Sequence, residues 1–125
     1  MNTGCKVTFP VDESYPWEPL KGETAWLRVK FTPNGLQIAE PGDKSIGHLE
    51  GGIAPQDING LESATVYLSK AGGTHFAVAE EPLVAGDGFV GGALGKVKKE
   101  ADLANAEGQV YAGGAAGSEI TVMYF

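Results

Sequence analysis

The residues of this chain that could do chemistry are His48 and His75, a scatter of serines, the acidic pairs Asp12-Glu13 and Glu80-Glu81, and a glycine motif over residues 86–91. Each fails on spacing. Gly86-Asp87-Gly88-Phe89-Val90-Gly91 matches G-x-G-x-x-G, but a dinucleotide site needs a helix directly after it to receive the pyrophosphate. Gly91-Gly92-Ala93-Leu94-Gly95 follows, which is poor helix material, so the motif reads as a turn. The two histidines are separated by 27 positions, and neither stands in a metal spacing with Cys5 or a carboxylate. Asp57-Ile58-Asn59-Gly60 opens like a calcium loop, but its twelfth position is Leu68 instead of glutamate. Ser45, Ser63, Ser69 and Ser118 lack a nucleophile elbow. The acidic pairs are sequence neighbours, which a strand points to opposite faces, so neither makes an acid–base couple. No catalytic residue, cofactor or metal is expected.

The elements that would have to position such groups are short and β-prone. Leu27, Val29 and Phe31 alternate with Trp26, Arg28 and Lys30, the period of a half-buried strand. Pro33-Asn34-Gly35 supplies a hairpin signal, and Leu36–Ala39 returns as its partner. Pro41-Gly42-Asp43 breaks the chain before Ser45–Leu49, and Gly51-Gly52 and Asn59-Gly60 punctuate a looser stretch. Further strands are expected at Ala64–Leu68, Phe76–Ala79, Phe89-Val90, Gln109–Ala112 and Ile120–Phe125. The last is apolar on both faces, which suggests a central strand or one packed on a partner. Lys98–Glu107 is the one plausible helix, with Gly108 as its stop. The fold class expected is all-β: a small β-barrel or β-sandwich with at most one short helix, about 98–107.

Residues 1–24 differ in character. Pro10, Pro16 and Pro19 favour extended backbone, so an extended N-terminal arm over 1–24 is expected beside a single β-domain over 25–125. Phe9, Tyr15, Trp17, Leu20 and Trp26 are the candidate partner-binding residues, with residues 5–20 as the main contact. Tyr15 and Trp17 either cover the chain's own core or reach a neighbouring subunit.

Composition bounds the function. The chain has 125 residues, one domain's worth, and 19 glycines, which thin the core; oligomerisation or docking on a larger surface would supplement it. Sixteen acidic residues against 9 basic ones give a net charge of −7, which disfavours nucleic acid. Lys96, Lys98 and Lys99 read as a solvated strand end. Cys5 stands alone, so no intrachain disulfide is expected. With no apolar run of membrane length and no leader pattern, the expectation is a soluble, non-secreted protein.

The order of elements resembles a family of bacteriophage capsid decoration, or cement, proteins over about residues 26–125. The matching stretches are Gly42-Asp43-Lys44-Ser45-Ile46-Gly47, then Thr65-Val66-Tyr67-Leu68. Ala79–Asp87, ending in Ala-Gly-Asp, and the closing stretch Gly108–Val122 complete the pattern. Two departures are visible: the late Gly-Glu is split as Gly117-Ser118-Glu119, and the arm before residue 25 lies outside the pattern. The resemblance implies a structural virion protein, not an enzyme, bound to the outer surface of the phage head and made in the host bacterial cytoplasm. Its implied partners are the major capsid protein and itself, as a homotrimer at local threefold positions, with no nucleic acid or membrane. A tail or fibre-associated β-module and a small-molecule-binding or enzymatic β-barrel are the alternatives; the last needs a deep pocket with convergent polar groups.

Overall fold

Short alternating runs cut by glycine turns fold, in the computed structural model, into two five-stranded antiparallel sheets. The structure describes residues 6–20, 23–50 and 63–125; Cys5, Gly51-Gly52 and the Asp57–Gly60 stretch fall outside them. The first sheet holds β1 (Lys6–Pro10), β2 (Arg28–Thr32), β3 (Gly35–Ile38), β4 (Gly47–Leu49) and β5 (Ser63–Leu68), in the order β1-β5-β4-β2-β3. The second holds β6 (Thr74–Val78), β7 (Gly88–Gly91), β8 (Val97–Glu100), β9 (Gly108–Ala112) and β10 (Glu119–Tyr124), in the order β6-β10-β9-β7-β8.

Each sheet curls until its edges meet. A parallel bridge joins Val11, just past β1, to Leu36 of β3, and another joins Ala79, just past β6, to Val97 of β8. Each closure adds a backbone bond, Asp12 N–H to Leu36 O at 3.2 Å and Glu80 N–H to Val97 O at 2.8 Å. Closure removes exposed sheet edges. The result is two small barrels of identical strand order, each around its own apolar cluster.

The likeness extends to single residues. Following the strand registers, Val11, Val29, Leu36, Leu49, Ala64 and Val66 of the first barrel match Ala79, Phe89, Val97, Val110, Ile120 and Val122 of the second. Every one of these twelve is buried. Gly47 and Gly108 are another matched pair: a side chain on either would run into the backbone carbonyl of Tyr67 or Met123 on the adjacent strand. The chain is thus an internal structural duplication, with matched positions seldom carrying the same residue.

Local chemistry explains the turns. Thr32 pairs with Gly35 around Pro33-Asn34, and the Thr32 hydroxyl donates to Gly35 O at 2.8 Å. Gly35 has φ +119°, and a Cβ there would lie 2.5 Å from Asp12 N, so glycine lets the closing strand cross the hairpin. β10 lies between β6 and β9, the central place its two apolar faces suggest.

Two expectations change. Lys98–Glu107 is not a helix: Val97–Glu100 is β8, paired with β7 from Gly91↔Val97 to Gly88↔Glu100. The following residues form turns around Asp102, whose carboxylate accepts Ala104 N–H at 3.0 Å and Asn105 Nδ2–H at 3.1 Å. An aspartate bonding nearby backbone competes with helix formation, and the ladder to β7 takes the rest. The other change concerns the N-terminal stretch: residues 6–10 pair along β5, and Val11, Trp17 and Leu20 enter the core of the first barrel.

Candidate functional site

The barrels meet along a row of side chains on the outer wall of the first. Arg28, His48 and Tyr67 are cross-strand neighbours on β2, β4 and β5, on the face opposite the barrel's own core residues. Period-two alternation places Arg28 on an outer face, and yet it is only 1% exposed. The second barrel covers it. Its guanidinium enters the space left by Gly91, where a Cβ would collide with Nη1. Nη2 donates to both Glu107 oxygens, at 2.8 and 2.9 Å, and Glu107 Oε2 also accepts Gly91 N–H at 3.0 Å. Arg28 Nε and Nη1 make no hydrogen bond of good geometry, and Glu107 supplies the ion pair of this buried charge.

Beside this pair, His48 and His75 stack with ring centroids 5.9 Å apart. His48 is 0% and His75 2% exposed. His48 Nδ1 lies 3.0 Å from the carbonyl of Trp26 and Nε2 lies 2.6 Å from the Tyr124 hydroxyl. A carbonyl only accepts, so Nδ1 carries the proton and Nε2 accepts from Tyr124, the arrangement of a neutral imidazole. Burial pulls the His48 pKa down to about 3, with His75 and Arg28 adding in the same direction against the Trp26 carbonyl. Burial also lowers His75, opposed by the Gly72 backbone, and pushes Tyr124 up to about 12 while Arg28 opposes. These shifts describe a dry joint between barrels. No hydrogen bond of good geometry reaches the two nitrogens of His75, whereas both nitrogens of His48 are engaged. Among the described residues no group of three His, Cys, Asp or Glu side chains could hold a metal ion.

Of the five residues singled out from sequence, four belong to the first barrel. Trp17 is 3% exposed and donates from Nε1 to Asp12 O at 2.9 Å. Tyr15 packs on it at 4.8 Å, and Leu20 is buried in the same cluster. Phe9 is half-buried against Phe31 at 5.2 Å. Trp26 is the exception: it sits at the joint, between Tyr67 at 5.8 Å and Phe76 at 4.9 Å. Its φ is +64°, a strained value for a bulky residue, held by its N–H on Leu49 O at 3.0 Å and its carbonyl on His48. Tyr15 and Trp17 thus cover their own chain's core.

The exposed apolar residues lie elsewhere: Phe31 at 49%, Tyr111 at 61% and Phe125 at 67%, together with Val84, Leu94 and Leu103. Phe31 shares a face of β2 with the buried Val29, but it stands at the open rim of its barrel. Rim and wall differ only in the third dimension, so the sequence held no signal for this.

The carboxylates mostly pin turns. Asp12 accepts from the Ser14 hydroxyl at 2.6 Å and Gln37 Nε2 at 2.7 Å, and these bonds hold its carboxyl below the usual range. Glu80 caps Ala93 N–H at 2.6 Å and Glu81 takes Lys99 N–H at 3.2 Å, so the adjacent pair serves two separate backbone sites. Asp87 accepts Val84 N–H at 3.0 Å, closing the turn that the glycine motif suggested. An open cleft of about 320 Å³ lies between the barrels, lined by Leu20, Leu27, Val78 and Leu94, with Glu23 and Lys96 as its charged members. Among the described residues no helix is long and apolar enough to cross a membrane.

No protein-family model and no curated protein matches the chain. Among solved structures it is similar to the head fiber gp8.5 N base of bacteriophage phi29, with a TM-score of 0.66 at 11% identity, covering 97% of this chain and 95% of that one. The likeness is one of fold, and it takes in both barrels.

Proposed function

We propose that this chain is a structural component of a phage virion, a decoration protein that binds the outer surface of the head and stabilises the shell as a homotrimer without catalysis. The observation that carries this reading is the likeness in fold, along nearly the whole of both chains, to the base of a phage head fiber. The motif resemblance over residues 26–125 points the same way. So does the build: the buried polar groups hold two barrels together, and the exposed apolar side chains lie on the outside. A protein that clamps shell subunits needs rigid contact area, and a trimer multiplies weak contacts through effective concentration.

The test is co-sedimentation of the purified protein with expanded heads, followed by thermal challenge of the decorated shells. Saturable binding that raises the temperature of head rupture supports the reading; no binding to heads at micromolar concentration refutes it. The same neighbour favours one second reading, a head-fiber base that anchors another protein. Retention of a fibre component by the head-bound protein would select it.

A further inference from the structure

The duplication shows one barrel rim sealed and its counterpart open. In the second barrel the rim contains His75, Gly91 and Tyr124. The outer wall of the first barrel closes it, through His48 on His75, Arg28 against Gly91 and His48 on Tyr124. The strand registers carry those rim positions onto Val7, Phe31 and Leu68 of the first barrel. His75 is 2% exposed in the sealed rim, whereas Val7 is 36% and Phe31 49% exposed in the open one. Phe9, packed on Phe31, continues the apolar surface.

The closing wall has a counterpart too. The row Arg28–His48–Tyr67 of the first barrel corresponds to Gly88–Gln109–Met123 on the second. There Met123 is 38% exposed, and Leu103, which lies where a Gly88 side chain would point, is 47% exposed. The wall that is polar and covered in the first barrel carries two exposed apolar side chains, Leu103 and Met123, on either side of Gln109 in the second.

We propose that the open rim of the first barrel, carrying Val7, Phe9 and Phe31, receives the outer wall of the second barrel of another copy, carrying Leu103 and Met123. The joint inside the chain is then repeated between chains, head to tail. Two apolar faces at matched positions replace the Arg28–Glu107 and histidine contacts of the internal joint. A heterologous contact of this kind closes into a ring when its rotation allows; three chains in a ring would present six barrels. The proposal deepens the trimer part of the functional reading and rests on it.

The experiment uses the full chain, with light scattering behind a sizing column over a concentration series. Phe31→Glu removes the rim and Met123→Glu removes the wall. Each variant alone is expected to dissociate, its assembly constant weakened roughly 30-fold or more, as for a hot-spot contact. Mixing the two is the decisive step. Phe31→Glu keeps an intact wall and Met123→Glu an intact rim, so the mixture is expected to give a 1:1 heterodimer and nothing larger. Circular dichroism and thermal melts establish folding, and Val7→Glu with Leu103→Glu repeats the test at neighbouring positions. A wild-type trimer untouched by either variant overturns the head-to-tail joint and leaves the trimer standing. Variants that dissociate but never pair on mixing also overturn it, since a symmetric contact behaves that way. A wild-type monomer at all concentrations sinks both the joint and the trimer, while head binding, measured separately, still decides the virion role.

Discussion

Removing Glu107, the more exposed partner of the joint's ion pair, is expected to harm the fold more than replacing the buried Arg28. The Arg28 side chain is 1% exposed and that of Glu107 is 39%. In Glu107→Gln the guanidinium stays buried, with Nε and Nη1 already unpartnered, and loses its compensating charge. The glutamine amide group also faces either Arg28 Nη2 or Gly91 N–H, both donors. Breaking a buried pair this way costs about 3–5 kcal/mol; because water screens Glu107, about 2–3 kcal/mol is expected. Arg28→Met removes the buried charge together with its desolvation cost. It leaves Glu107 free to hydrate while still accepting Gly91 N–H, so its stability is expected within about 1 kcal/mol of wild type. At roughly 4 °C per kcal/mol for a chain of this size, Glu107→Gln lowers the Tm by roughly 8–12 °C and Arg28→Met by far less. Urea titrations monitored by tryptophan fluorescence give the two values directly. A Glu107→Gln variant within 0.5 kcal/mol of wild type, or one more stable than Arg28→Met, refutes the reasoning.

Three further outcomes are expected. The His48 pKa is about 3 in the fold against an ordinary 6.5, so acidification favours the unfolded chain, which takes up the proton. Stability is fully present above pH 6.5 and is lost as pH falls towards 3, by about 2–3 kcal/mol at pH 4.5 from His48 alone, and His75, whose pKa burial also lowers, adds to the loss. Asp12 and Asp43 are held below 3.8 and add their loss only under that value; a His48→Gln variant with the same slope between pH 6.5 and 4.5 would count against the buried joint. Gly47→Ala and Gly108→Ala press a Cβ onto matched backbone carbonyls, so each is expected to cost about 2–3 kcal/mol in urea titrations. Values differing by more than a factor of two would break the equivalence of the two sites. Trp17→Ala empties core volume of the first barrel and is expected to cost about 3–5 kcal/mol in the same titrations; a fully stable variant with weakened head binding would return Trp17 to a partner-facing role.

The strands whose alternation was unbroken were legible: Val29 and Phe31, the Leu36–Ile38 return, and the apolar closing strand fall in the sheets, while Leu27 and Ala39 lie just outside them. β1 and β8 were not. Lys6–Pro10 carries a proline, and Val97–Glu100 carries three charges within a helix-like run, so local propensity argued against both. Each is a strand because an adjacent strand offers a ladder to complete. The candidate site was less legible. Of the candidate partner-binding residues, Trp26 packs against Phe76 of the chain's own second barrel, Trp17 and Leu20 are core, and Tyr15 is half-buried against them. Arg28, Glu107, His48 and His75 lie far apart in sequence, in patterns that match no motif.

What the sequence by itself determined was the class of fold. Side-chain alternation along a strand and the backbone demands of glycine and proline are local, and they are written in consecutive residues. Tertiary structure alone decided that the sheets close into barrels and that the barrels are copies of one another. It also decided which outer wall is buried. Those depend on registers between strands tens of residues apart, where matched positions need only similar volume and burial. Val29 and Phe89 fill equivalent places without resembling each other, so the duplication leaves its trace in space and not in the letters.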